Sequence, residues 1–241
     1  MVLLVRVAAI VGFVIALVVG AIAAVAISIP VGLVVGLLAG VGGGAAVALI
    51  SSREPEAAIL RSAGAVALSD GAEPRFTNAV EGLSVSAGVP KPALHLMNHA
   101  GMNVLAVGRD PRHAALAVTQ GLLDGLSLIE LEAVLARELA QIRSLDTLPG
   151  TVAAGLLLGP LAPLARLVGL PSPTRGPVET DLAGVLMTRY PPGLAAALRK
   201  VAASPSPPVG PAAVPSLWLA PGDAGGVPAD LSLRIATIDE L

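Results

Sequence analysis

The sequence predicts an α+β chain, mainly α, in which an N-terminal two-helix transmembrane hairpin carries a cytoplasmic, mostly helical domain with a small β-sheet. Three observations predict it. Residues 7–52 hold no charged side chain between Arg6 and Arg53, a run about twice the roughly 20 residues that one helix needs to cross a bilayer. Short apolar runs bounded by Gly and Pro follow near residues 93–119, as strands do. Beyond them lies an amphipathic segment with a capping signature at Ser127. The composition agrees, since the 241 residues are 54% hydrophobic and 13% charged, against roughly 25% charged in an ordinary soluble domain.

The hairpin occupies residues 1–52, with crossings at about 7–29 and 31–50. Pro30 lies near the middle of the run beside Ser28 and Gly32. Proline removes a helix hydrogen bond and clashes with the preceding turn, so the turn is placed at 28–32. Arg6, Arg53 and Arg61 flank the open ends, and this bias puts both termini and the main domain in the cytoplasm, with the hairpin in the cell (inner) membrane. A signal peptide is the competing reading, but the apolar run does not stop where a cleavage site should be. Gly12, Ala16, Gly20 and Ala24 form one stripe of small residues, and Gly32, Gly36, Gly40 and Gly44 another. Such stripes let helices approach in lipid. They either close the hairpin on itself or offer a face for homo- or hetero-oligomers.

Residues 53–241 make the cytoplasmic domain. Residues 51–75 read as a connector, helical in pieces, with a helical apolar spacing over 57–68. A helix is predicted over 76–87 and strands over 93–97, 104–107 and 114–119. Ser127 caps a helix that runs to about Ser144, and Glu130 completes the capping box. Its apolar face is Leu131, Val134, Leu135, Leu139 and Ile142, with Arg137, Glu138 and Gln141 on or beside it. Residues 147–171 are apolar but broken by Pro149, Pro160, Pro163 and Arg166. They are poor as one crossing and too short for two, so they pack on the domain or lie at the membrane interface. Helices are expected near 180–187 and 193–203, a proline-rich linker over 204–215, and a closing helix over 231–241.

Several function classes are excluded. Net charge is −2, lysine occurs at Lys91 and Lys200 alone, and only four aromatic residues exist, so no basic, stacking surface for nucleic acid is available. With no cysteine there is no disulfide, thiolate ligand or cysteine nucleophile. No GxSxG elbow or phosphate loop occurs. His95 and His99 lie four apart on a segment read as a strand, where they would stand roughly 13 Å apart, too far to share an ion. His113 reads as an exposed turn residue.

The stretches Asn103-Val-Leu-Ala-Val-Gly-Arg-Asp, Leu116-Ala-Val-Thr-Gln-Gly-Leu-Leu-Asp and Ile129-Glu-Leu-Glu-Ala-Val-Leu-Ala-Arg-Glu-Leu-Ala-Gln-Ile-Arg resemble the HtpX-like membrane zinc metallopeptidases, the group that includes the CAAX prenyl proteases. Asp181 followed by residues 186–200 resembles that family's second block, and residues 228–241 its closing segment. The resemblance implies a zincin-like domain over most of residues 51–241. In the family, HExxH on a helix places two histidines on zinc, with the glutamate as general base. Here the five residues are Arg137, Glu138, Leu139, Ala140 and Gln141, and the position of the third, glutamate ligand holds Pro177. Arginine cannot shed its proton to bind a metal, and a glutamine amide is a weak zinc ligand. Only Glu138 remains, as a remnant base.

The sequence therefore reads as a degenerate member without metal or cofactor, a pseudopeptidase that acts by binding a membrane-protein or peptide partner. Arg137 is expected to take the vacated metal position and pair with Glu179 or Asp181. The resemblance also places Asn103 at the edge of a substrate cleft, where a strand can pair with an extended peptide without zinc. Two alternatives stand: an active zinc endopeptidase with a relocated ligand set drawn from residues such as His95, His99, Glu138 or Glu179, and a structural subunit of a larger membrane complex whose groove is filled by its own side chains.

Overall fold

The computed structural model describes residues 2–26, 29–52, 55–69, 71–158, 162, 175–205, 214–220 and 229–241. The chain divides into two compact units, Met1–Pro55 and Glu56–Leu241.

The first unit consists of α1 (Val2–Ala26) and α2 (Ile29–Ser52). Pro30, expected in the turn, instead lies in the first turn of α2. There its missing N–H would have been unpaired in any case, and its fixed φ suits the helix. Ser28 lies outside the described residues. The two stripes face each other. A Cβ built on Gly36 would come within 2.6 Å of the Ala16 carbonyl oxygen, and one on Gly40 within 2.7 Å of that of Gly12. Backbone therefore lies against backbone at these positions, so the described parts of the two stripes pack within the hairpin. The outward side chains are large and apolar, including Phe13 (68% exposed) and Leu37 (67%). Side chains are described along residues 10–22 of α1 and 33–44 of α2. Among the described residues no helix is long and apolar enough to cross a membrane.

The second unit is built on a four-stranded mixed sheet in the order β1-β2-β4-β3. Strand β2 (Ala93–Met97) runs parallel to β4 (Ala114–Thr119), and β3 (Val104–Gly108) pairs antiparallel to β4. The far edge is β1 (Ala65–Ala67), antiparallel to β2. This strand departs from the expected helical connector. Helix α3 (Pro55–Ser62) stops at Gly64, which takes φ +68°, a conformation natural to glycine. The three residues beyond then follow their pairing with β2 rather than alanine's helical preference.

Both faces of the sheet are covered. Val104, Ala106, Leu116 and Val118 pack with Phe76 and Val80 of α4 (Pro74–Ala87) and with Leu131, Leu135 and Leu139 of α6 (Leu128–Arg143). Leu105, Val107 and Ala117 on the other face pack with Ile59, Ala153, Ala154 and Trp218. Strands buried on both faces lose the polar alternation of a half-buried sheet, and β3 and β4 are buried throughout. Between β4 and α6 a short helix, α5 (Gln120–Gly125), was not anticipated; the Thr119 hydroxyl caps it by accepting from the Leu122 N–H. Ser127 and Glu130 form the predicted capping box at α6.

Helix α7 (Thr147–Leu158) takes the first part of the apolar segment and buries Ala153 and Ala154 against the sheet. That part packs on the domain; residues 159–161 and 163–174 lie outside the described residues. Helices α8 (Pro177–Thr188), α9 (Pro191–Ala203) and α10 (Ala229–Asp239) complete the unit. Of the proline-rich linker, residues 206–213 lie outside the described residues, and its end forms a 3-10 turn, Pro215–Leu217.

The hairpin contacts yield a prediction. Gly36→Leu should destabilise the first unit by about 1–3 kcal/mol through overpacking. Gly42→Leu, where an added Cβ meets nothing within 4 Å, should be tolerated. Denaturation of the purified chain in detergent checks both; equal tolerance of the two substitutions would show that the stripes do not seat the helices.

Candidate functional site

Helix α6 presents Arg137, Glu138 and Gln141 to the interior because its capping box fixes where the helix begins and its apolar face fixes which side turns inward. All three are buried, as is Asp181 of α8. The backbones of α6 and α8 approach closely at Gly184, where a Cβ would lie 2.6 Å from the Arg137 Cα. Within that contact the Arg137 Nε donates to Asp181 Oδ1 at 3.0 Å, and its Nη1 donates to Glu138 Oε1 at 2.5 Å. The same Nη1 reaches Gln141 Oε1 at 3.5 Å. Arg137 thus pairs with Asp181. Glu179, the other carboxylate considered for it, is exposed at the start of α8, where it accepts the Gly176 N–H at 3.2 Å.

A second arginine completes the cluster. Arg234 of α10, 1% exposed, donates from Nε to Asp181 Oδ2 at 2.6 Å and from Nη2 to Oδ1 at 2.9 Å. Its Nη1 donates to the Leu219 carbonyl at 2.7 Å. Two guanidinium groups and two carboxylates therefore meet in the buried interior and balance in charge. Sequence reasoning did not single out Arg234. The available signal was a basic residue at the buried spacing of the closing helix, in line with Leu231 and Ile238.

The residues do not fit a zinc ion. The Arg137 guanidinium stands where a ligand is needed, and Pro177 is exposed at the start of α8. Gln141 turns its amide nitrogen to the Ser216 carbonyl at 2.8 Å. Among the described residues no three His, Asp or Glu side chains are placed to hold a metal ion. His95 lies in β2, with a buried Nδ1 that has no hydrogen-bond partner among the described residues, and burial lowers its pKa. The His99 Nδ1 accepts the Gly101 N–H. His113 is exposed in its turn beside Asp110.

Asn103 is not an open peptide edge. It is fully buried, its Nδ2 donates to the Ala220 carbonyl, and its Oδ1 accepts the Ala220 N–H. The edge of β3 is covered by the chain itself. Leu105 bridges Trp218, the Leu219 N–H donates to the Val104 carbonyl, and Thr151 and Thr147 of α7 bind the N–H and carbonyl of Gly108. An uncovered edge would expose unpaired backbone groups, and here the segment 214–220 and α7 satisfy them. No local pattern signals this, because the contacts join residues about forty positions apart for α7 and more than a hundred for segment 214–220.

Burial pushes the Glu138 carboxyl above the ordinary glutamate range, outweighing the attraction of Arg137, and among the described residues its Oε2 has no hydrogen-bond partner. Burial alone would lower Arg137, but Glu138 and Asp181 more than offset it and hold the guanidinium charged. A folded-state pKa raised above the ordinary glutamate value of 4.5 means that the folded chain holds this proton more tightly than the unfolded one. The associated stability is present below pH 4.5 and is lost as pH rises through the folded value. Glu138→Gln should therefore gain stability relative to the parent as pH rises above 4.5; melting curves across pH that stay parallel would contradict this. Asp181→Asn, which leaves two buried arginines poorly paired, should cost about 3–5 kcal/mol, measurable by denaturation.

No family model matches the chain. It is nevertheless similar to proteins named protease HtpX homolog. It is 33% identical over 164 residues to that of Dictyoglomus turgidum, covering 54% of this chain and 54% of the relative. It is 36% identical over 173 residues to that of Acidiphilium cryptum, covering 68% and 60%. Over 95 residues it is 47% identical to that of Acaryochloris marina, covering 39% and 32%. The chain spans about half the length of the curated relatives it matches first. The order of its motifs, the mixed sheet beneath a capped helix and these identities agree: the chain belongs to the HtpX-like protease family.

Proposed function

We propose that this chain is a catalytically inactive metallopeptidase-like protein of the cell membrane, held by its N-terminal hairpin and acting by binding another membrane protein. The observation that carries the reading is the Arg137 guanidinium, bonded to Asp181 and Glu138 where the family's chemistry needs a neutral imidazole on a metal. A carboxylate general base acts on a metal-polarised water; Glu138 instead spends one oxygen on Arg137 and sits fully buried.

The membrane assignment is supported by the outward faces of the hairpin, where Phe13, Leu17, Leu33 and Leu37 are exposed, a surface that acyl chains satisfy and water does not. A cytoplasmic main domain follows from the arginine bias at the open ends. For the partner, the covered edge of β3 favours contact through other surfaces over peptide capture in the old cleft. The same observation supports a second reading, a structural subunit of a larger membrane complex, in which the groove is filled by segment 214–220.

Elemental analysis of the detergent-purified chain after dialysis against a weak chelator tests the proposal, with Glu138→Ala measured beside it. The expected result is no zinc above the buffer blank in either protein. Stoichiometric zinc that is lost or weakened in the variant would overturn the reading and favour an active endopeptidase with a relocated ligand set. Co-purification of one stoichiometric membrane protein would favour the structural subunit over a transient binder.

A further inference from the structure

Away from the buried cluster, the ends of α6 and α8 and the last turn of α4 enclose an open cleft of about 520 Å³. Arg143, Arg175 and Arg189 line it, together with the Ser86 and Ser144 hydroxyls, and Leu186 and Met187 form an apolar side. In a chain of net charge −2 with 15 basic residues, three guanidinium groups around one cleft form a strong local concentration of positive charge. Asp146 offsets part of it, lying 3.6 Å from Arg175. Among the described residues neither the Arg143 nor the Arg189 side chain has an ion pair or a hydrogen bond.

The simplest structural role for arginines at helix ends is to face the terminal carbonyls. Neither side chain donates to one here, although α6 ends at Arg143 and Arg189 caps α8. Arg189 also holds φ +55°, at a C-cap position where glycine is the ordinary choice. Leu145, beside Ser144, holds φ +64°. Arg143 and Arg189 are both exposed and line the cleft beside Arg175, so an anion entering it meets guanidinium groups not already committed to a carboxylate. Guanidinium groups bind phosphate in bidentate fashion. Leu186, 77% exposed, supplies apolar surface beside the charge.

We propose that this cleft binds the phosphate of an anionic lipid headgroup, with Arg143 and Arg189 as its principal ligands and Leu186 and Met187 against the start of the acyl chain. Recognition is by charge and apolar contact, independently of whether the family's chemistry survives.

The test is calorimetric titration of the full chain in phosphatidylcholine nanodiscs with dihexanoyl phosphatidic acid, and separately with inorganic phosphate. Empty discs serve as the blank. Saturable lipid binding is expected, weakened by roughly tenfold or more in R143Q/R189Q and by added salt in the parent. R143K/R189K, which keeps the charge and loses the bidentate fork, should fall between the two and serves if the glutamine pair does not fold. Heats equal to the empty-disc blank, or equal affinity in parent and both variants, would overturn the proposal. Inorganic phosphate binding as tightly as the lipid would overturn the lipid assignment in favour of a free-phosphate site.

Discussion

The second unit depends on a single buried exchange of charge, in which Asp181 accepts from Arg137 on one side and Arg234 on the other. Three helices distant in sequence, α6, α8 and α10, are tied through that one carboxylate. Glu138 supplies the second negative charge, so the interior closes without net charge. Desolvating four ionised groups is costly, and such networks often do no better than a well-packed apolar core. Their effect is selective: each partner is required once the others are present. This makes the cluster a geometric constraint on helix placement more than a source of net stability.

A metal site would impose a related constraint by other means. Ligands from two helices converging on one ion fix the helices' separation and register, and a guanidinium with directed donors can do the same. Planar, permanently charged and able to reach three acceptors, Arg137 suits that position better than lysine would. Its placement depends on Gly184, since any larger residue there would drive α8 from the Arg137 backbone. Arg234 extends the tie to the Leu219 carbonyl, and through residues 218–220 to the edge of β3. The cluster and the covered sheet edge are thus one connected structure.

Much of this architecture was legible in the sequence where local chemistry decides it. The Ser127–Glu130 box, the runs 93–97 and 114–119 and the small-residue stripes each carry their own signal, in capping geometry, β-branched and apolar runs, and helical spacing. Pairing across long separations was not legible. Strand β1 consists of alanines and a valine whose conformation is set by β2, and the segment 214–220 is placed by β3, Gln141 and Arg234. Within the site, the family pattern led to Arg137, Glu138, Gln141 and Asp181. It left Arg234 unnoticed, and it suggested an open edge at Asn103 where the chain has paired with itself.

Arg137 and Asp181 bridge α6 to α8 directly. A double-mutant cycle on Arg137→Met and Asp181→Leu, followed by denaturation of the detergent-purified chain with and without chelator, measures that bridge directly. The expected coupling energy between the two positions is about 1–3 kcal/mol, unchanged by chelator. Additive effects of the two substitutions, or a parent stability that falls when chelator is added, would contradict it.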